Sequence, residues 1–153
     1  MHTTWADSKG VQQKQVAPLS LVISSFAPVK DVRLTLTPDL KAGESSLVYV
    51  DLGDGTCPLG ATALAQVYSQ LGNTHADADA AKLKRFFNAM QKIVRGKLAL
   101  AYHDRSDGGL AVTLAEMAIT GGRGIKASLP DGDVLEQLFT EQPGAVLQVS
   151  ENN

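Results

Sequence analysis

Apolar and polar residues along this chain alternate between strand-like and helix-like spacing. Short apolar runs rich in β-branched residues predict strands at residues 19–26, 32–37, 47–52, 98–102, 125–129 and 145–149. The run at 32–37 ends at Pro38, so it also fits a short extended approach. The run at 47–52 is nearly continuous in apolar character, which predicts a strand buried on both faces.

Four other segments repeat apolar residues at helical spacing. They are residues 59–71, about 79–96, about 110–119, and 134–139. Strands that alternate with helices predict an α/β (α+β) fold, in which a mixed sheet is flanked by helices.

The chain divides near Pro18. Residues 1–18 are polar and predict a loop-like N-terminal arm. Residues 19–153 predict one α/β domain, since a single core usually needs about 100–150 residues.

Composition excludes several classes of protein. Of the 153 residues 44% are hydrophobic, too many for a disordered chain, yet no apolar run reaches the roughly 20 residues of a membrane helix. A net charge of −2 gives no support for a nucleic-acid or membrane partner. The single cysteine, Cys57, excludes an internal disulfide and a multi-cysteine metal site. The single cysteine, together with a polar N-terminus that lacks a signal peptide, predicts a cytoplasmic location.

Most of the candidate chemistry lies in residues 103–109, His-Asp-Arg-Ser-Asp-Gly-Gly. These residues follow a predicted strand and precede a predicted helix, whose first N–H groups lack intrahelical acceptors. Glycines at 108 and 109 would let an anion approach that backbone closely. Asp104 and Asp107 are hard oxygen ligands suited to Mg²⁺, and Ser106 can hydrogen-bond a phosphate oxygen. Two carboxylates suit an anion site only when a cation lies between them.

The residues alone leave a structural interpretation equally open. Asp107 or Ser106 can cap the helix, and the two glycines can simply allow a tight turn. Residues 53–56, Gly-Asp-Gly-Thr, can bind phosphate but are more often a structural turn. His103 is either an acid–base group or a hydrogen-bonded structural histidine. Cys57 matches no nucleophile motif and is expected to be an ordinary thiol.

Three stretches resemble the large form of the phosphoribosylformylglycinamidine synthase family, which acts in purine biosynthesis. They are residues 18–24 (Pro-Leu-Ser-Leu-Val-Ile-Ser), 59–65 (Leu-Gly-Ala-Thr-Ala-Leu-Ala) and 103–118, where Leu-Ala-Val-Thr-Leu-Ala-Glu-Met-Ala follows the second glycine. Aminoimidazole ribonucleotide synthase and selenophosphate synthetase share only a looser His-Asp-x-Ser-Asp/Glu-Gly-Gly. The resemblance implies a fragment that covers the C-terminal α/β domain of the family's second synthase-like half. It also implies that residues 1–18 are an N-terminal arm left from the preceding domain.

The family is an ATP-dependent carbon–nitrogen ligase with glutamine as amido donor. It converts formylglycinamide ribonucleotide, glutamine and ATP to formylglycinamidine ribonucleotide, glutamate, ADP and phosphate. The resemblance implies that Asp104 contacts Mg²⁺ and that Ser106, with Gly108 and Gly109, binds ATP or ADP. The site in the second half resembles an auxiliary, structural one, so no catalytic residue is expected here.

The implied partners are the remaining synthetase and glutaminase domains of the parent chain, and the fragment alone is expected to be inactive. The alternative is a non-catalytic interaction or binding domain of the same superfamily fold.

Overall fold

The computed structural model describes residues 2–16 and 21–151. The chain forms two compact units that divide between Lys30 and Asp31. The first unit contains an antiparallel hairpin of β1 (His2–Ala6) and β2 (Gln12–Val16). The hairpin replaces the loop predicted for the N-terminal arm, although its side chains are largely exposed, as expected for an arm.

The strand predicted at residues 19–26 is wrong over its described part. Residues 21–26 have no regular secondary structure, and residues 19–20 lie outside the described ranges. The side chains of Val22 and Phe26 are 89% and 96% exposed. A strand needs a neighbour to satisfy its backbone groups, and no described strand pairs with this segment.

The second unit is built on a three-stranded sheet in the order β3-β5-β4. Its strands are β3 (Ser45–Asp51), β4 (Ala101–Arg105) and β5 (Gly144–Ser150). Both outer strands pair antiparallel with β5, so they run in the same direction. Their carboxyl ends therefore meet at one edge of the sheet, where Asp51 and Arg105 both oppose Gly144.

Four helices and one 3₁₀ turn complete the described part of this unit. The helices are α1 (Ala63–Val67), α2 (Ala80–Gly96), α3 (Gly109–Gly121) and α4 (Val134–Phe139), and the 3₁₀ turn is Val32–Leu34. α2 begins where predicted because the Asp79 carboxylate accepts hydrogen bonds from the N–H groups of Ala81 and Lys82.

The two longest helices cover opposite faces of the sheet. Val146 of β5 packs in one buried cluster with Leu110 and Met117 of α3. The next residue, Leu147, packs in a second cluster with Met90 of α2, since neighbouring strand residues point to opposite faces. This three-layer arrangement confirms the predicted fold class of a sheet flanked by helices.

Pairing within the sheet is antiparallel in the described residues. A parallel pairing occurs outside it, as an isolated bridge between Gly60 and His75.

Several predicted strands differ in detail. β3 lies where predicted but is an edge strand, with Val48 43% exposed, so its predicted burial on both faces is wrong. Residues 125–129 form no strand, and 32–37 begin as the 3₁₀ turn. β4 lies three residues later than predicted: it begins at Ala101, and it ends at Arg105 because the polar residues 103–105 continue the ladder with β5.

The helix predicted at 59–71 is also shorter than expected. Only Ala63–Val67 is helical, and the chain leaves the helix at Ser69, which has a φ of +55°. Leu71, assigned to its apolar stripe, is 76% exposed. Periodicity alone did not show that the segment turns away from the core.

Candidate functional site

The predicted site residues lie at the edge where β3 and β4 end. Residues 52–62 lead from β3 to α1, and residues 106–108 lead from β4 to α3. Strand–loop–helix connections of this kind commonly place ligand-binding groups at the carboxyl ends of strands.

Asp104 and Ser106 lie on the exposed side of this edge. Asp104 belongs to β4 rather than to the predicted loop, and its side chain is 65% exposed. Arg105, between them, is buried, whereas Ser106 is exposed. Strand alternation therefore separates the carboxylate of Asp104 from the guanidinium of its neighbour.

Gly108 and Gly109 are buried and have φ values of +82° and +67°, which favour glycine. A Cβ on Gly109 would lie 2.6 Å from the carbonyl oxygen of Leu138 and 2.7 Å from that of Thr140. The space beside Gly109 thus faces carbonyl oxygens, whose partial negative charge disfavours an anion. On its Cβ side Gly109 therefore allows close packing. The expectation that an anion approaches the backbone at Gly108 and Gly109 stays a prediction.

The N–H of Gly108 already has an anionic partner. It donates to Oε1 of Glu141, as does the N–H of Ala63, and both distances are 2.8 Å. The predicted caps, Asp107 and Ser106, do not cap α3 through their side chains, since the N-cap position is Gly108. Glu141 is a site residue that sequence reasoning missed. Its one signal is an acid in the polar run between a predicted helix and a predicted strand.

Arg105 joins β4 to β3 and to the segment just before β5, beneath the site. Its side chain is 1% exposed, and Nη2 donates to Oδ1 of Asp51 at 2.8 Å. Further donors reach the Tyr49 hydroxyl and the carbonyl oxygens of Gln142 and Pro143. This buried network was also missed, because an arginine between two polar residues looks like part of an exposed loop.

Asp51 organises the loop after β3. It accepts hydrogen bonds from the N–H groups of Gly53 and Gly55 at 3.2 and 3.1 Å. Burial by itself would raise the pKa of Asp51, but these two bonds and Arg105 outweigh it and hold the pKa below its usual value. Two amides of residues 53–56 are therefore already used within the protein, which favours the structural interpretation of that turn.

Two candidates remain, His103 and Cys57. Nε2 of His103 lies 2.6 Å from Oε2 of Glu116, so His103 is hydrogen-bonded, as the structural interpretation predicts; its role as an acid–base group stays a prediction. Cys57 is a free, partly buried thiol, and burial raises its pKa, which keeps it protonated at neutral pH.

A cleft of about 950 Å³ opens on the α3 side of the sheet. Its lining includes Tyr49, Asp51 and Cys57 but neither Asp104 nor Ser106. This cleft and the predicted nucleotide residues are therefore different places on this domain.

The fit of a magnesium–nucleotide group depends on Asp104. Within residues 2–16 and 21–151, no group of three or more His, Cys, Asp or Glu side chains could hold a metal. Mg²⁺ is usually held by one or two carboxylates together with phosphates and waters. One exposed carboxylate on this chain fits that pattern as a single protein ligand.

No helix within residues 2–16 and 21–151 is long and apolar enough to cross a membrane.

Comparison with known proteins gives two findings. Residues 46–153 match the family described as AIR synthase related protein, C-terminal domain. The fold is similar to a solved structure described as T. maritima PurL complexed with ATP, with a TM-score of 0.55 and 16% identity. That match covers 79% of this chain and 20% of the PurL chain, so this chain spans about a fifth of that length.

Proposed function

The chain belongs to the AIR synthase-related family through its C-terminal domain, and we propose that it is part of a large-form phosphoribosylformylglycinamidine synthase. Family membership and the PurL-like fold confirm the predicted resemblance at the level of the domain. The proposed position is the C-terminal domain of the second synthase-like half. The remaining synthetase and glutaminase domains would then perform the ligase reaction with glutamine and ATP, in the cytoplasm.

The proposed contribution of this chain is an auxiliary site that holds a magnesium nucleotide without turning it over. Asp104 would hold Mg²⁺ and Ser106 would donate a hydrogen bond to the nucleotide. Gly108 and Gly109 give the turn its positive φ. When bound, Mg²⁺ neutralises phosphate charge that would otherwise repel the Asp104 carboxylate.

One observation carries this assignment: the Asp104 carboxylate is 65% exposed, while the neighbouring guanidinium is committed to Asp51. The Asp104 charge therefore stays unpaired by Arg105 and open to a divalent cation. Nδ1 of His103 lies 3.6 Å from Oδ1 of Asp104 and is a polar neighbour of this carboxylate.

The structure also favours the second candidate, a non-catalytic binding or interaction domain. The bond from Gly108 to Glu141 gives the turn a purely structural purpose, because it satisfies a backbone group at the start of α3. In that case Asp104 would bind no metal ion.

Titration with Mg·ADP by calorimetry separates the two candidates. We expect Asp104→Ala to weaken binding at least about 100-fold, or roughly 3 kcal/mol, because it removes a charged ligand of the metal. Asp131→Ala, which removes another exposed carboxylate, is the matched control and should bind like the wild type.

The titration is run on this chain and on the intact synthase expected to contain it. Unchanged nucleotide affinity of Asp104→Ala in the intact protein would refute the proposed site. Loss of affinity there, with Asp131→Ala unaffected, would support it.

A further inference from the structure

Residues 140–143, which join α4 to β5, contact the loops that surround the candidate site. The Thr140 hydroxyl donates to the carbonyl oxygen of Pro58 at 3.0 Å, and Nε2 of Gln142 donates to the Thr56 hydroxyl at 2.9 Å. Thr140 is fully buried and Gln142 is 5% exposed. These two hydrogen bonds thus tie the segment to the loop that joins β3 to α1.

Glu141 is the charged residue of this segment, and one of its carboxylate oxygens accepts hydrogen bonds at the start of two helices. Oε1 accepts the N–H of Ala63, the first residue of α1, and the N–H of Gly108, the N-cap of α3. Gly108 has no side chain that could cap α3. The negative charge also lies where the dipole of the 13-residue α3 is positive.

We propose that Glu141 is a positioning residue for the nucleotide site. Its carboxylate ties the turn at residues 106–108 to the start of α1, and this holds Asp104 and Ser106 in the orientation that binds the magnesium nucleotide. The inference rests on the proposed function. In this arrangement the carboxylate of Glu141 occupies the N–H group at the start of α3. The phosphates of the nucleotide therefore contact the side of the turn that carries Asp104 and Ser106.

Like charges explain why one anion excludes the other. A phosphate that took the N–H of Gly108 would lie within hydrogen-bond distance of Glu141 and would repel it at close range. The start of α3 is therefore a structural contact rather than a phosphate cradle.

The test uses Glu141→Ala and Glu141→Gln in the complete chain, with Glu136→Ala as control. Glu136 is an exposed glutamate on α4. The first measurement is hydrogen exchange of the amides of Gly108 and Ala63, followed by NMR. We expect at least tenfold faster exchange at both amides in Glu141→Ala and a smaller change in Glu141→Gln, whose amide oxygen can still accept. Formate should slow the exchange in Glu141→Ala, because it replaces the missing carboxylate.

The second measurement is Mg·ADP affinity in the same variants. Glu141→Ala should bind at least tenfold more weakly, and formate should restore part of this loss. A general loss of stability would not respond to formate in this way. Should Glu141→Ala fail to fold, Glu141→Gln provides the same comparison with a smaller change.

Two results would overturn the inference. Unchanged exchange at both amides would show that Glu141 does not hold them. Wild-type Mg·ADP affinity in Glu141→Ala, with affinity lost in Asp104→Ala, would show that Glu141 does not position the site. Equal affinity of wild type and Asp104→Ala would instead refute the proposed function, and the nucleotide part of this inference with it.

Discussion

Replacing Arg105 by methionine tests the buried ion pair that joins β4 to β3 beneath the candidate site. Arg105 is almost fully buried and donates to Asp51, to the Tyr49 hydroxyl, and to the carbonyl oxygens of Gln142 and Pro143. Methionine is flexible and fills most of the same space, but it removes the charge and all the donors.

The expected cost follows from what each partner retains. The carbonyl of Pro143 keeps the N–H of Leu52 at 3.0 Å, and Asp51 remains 28% exposed, so water reaches it. The buried carbonyl of Gln142 loses the Arg105 donor. Breaking a buried pair costs about 3–5 kcal/mol. Because Asp51 is only partly buried, we expect a loss of about 3 kcal/mol, equivalent to roughly 10 °C in Tm.

Urea unfolding followed by circular dichroism measures this loss at neutral pH. Arg85→Met, an exposed arginine of α2 replaced in the same way, is the matched control and should change stability by less than about 0.5 kcal/mol. An Arg105→Met chain as stable as this control would refute the reasoning.

The acid dependence gives a second check on the same pair. Because the folded-state pKa of Asp51 is lowered, its ionisation stabilises the fold above the unfolded value of about 3.9. This contribution is lost as the pH falls through the lower folded pKa. Arg105→Met removes one of the groups that lower the pKa, so its stability should fall less steeply below about pH 4. An identical acid slope in both proteins would contradict the assignment.

Two further substitutions test packing around α3. Met117→Ala should lose about 3 kcal/mol in urea unfolding, because Met117 is fully buried in the cluster between α3 and the sheet, whereas Ile119→Ala, at a position 78% exposed, should lose far less. Equal losses would place the core elsewhere. Gly109→Ala should lower the free energy of unfolding by at least about 2 kcal/mol more than Gly122→Ala does. Both glycines have positive φ, but of the two only Gly109 has backbone atoms within 3 Å of an added Cβ. Equal thermal stability of these two variants would show that the close contact at Gly109 is not needed.

Local patterns were sufficient where an element is set by its own side chains. The predicted helix at 79–96 is correct because an N-cap aspartate and an apolar stripe define it without help from other elements. The predicted strand at 145–149 is correct because β5 is the central strand, buried over most of its length. The resemblance carried by residues 103–118 likewise indicates the family from the sequence alone.

The pattern was insufficient where pairing decides the outcome. Residues 21–26 have the composition of a strand but no described strand beside them. His103 to Arg105 look like a polar loop, yet β5 offers them partners and they become strand. A strand's hydrogen bonds are made with another segment, so its existence depends on residues distant in sequence.

The sequence by itself therefore determined the family, the sheet-and-helix class, and the order of chemical groups from Asp104 to Gly109. Only the tertiary structure decided which of those groups are free. It buried Arg105 against Asp51, left Asp104 exposed, and brought Glu141 from 33 residues away to the N–H of Gly108. The physical reason is that charges and backbone groups find their partners among residues that are close in space. The pattern of residues along the chain does not contain those distances.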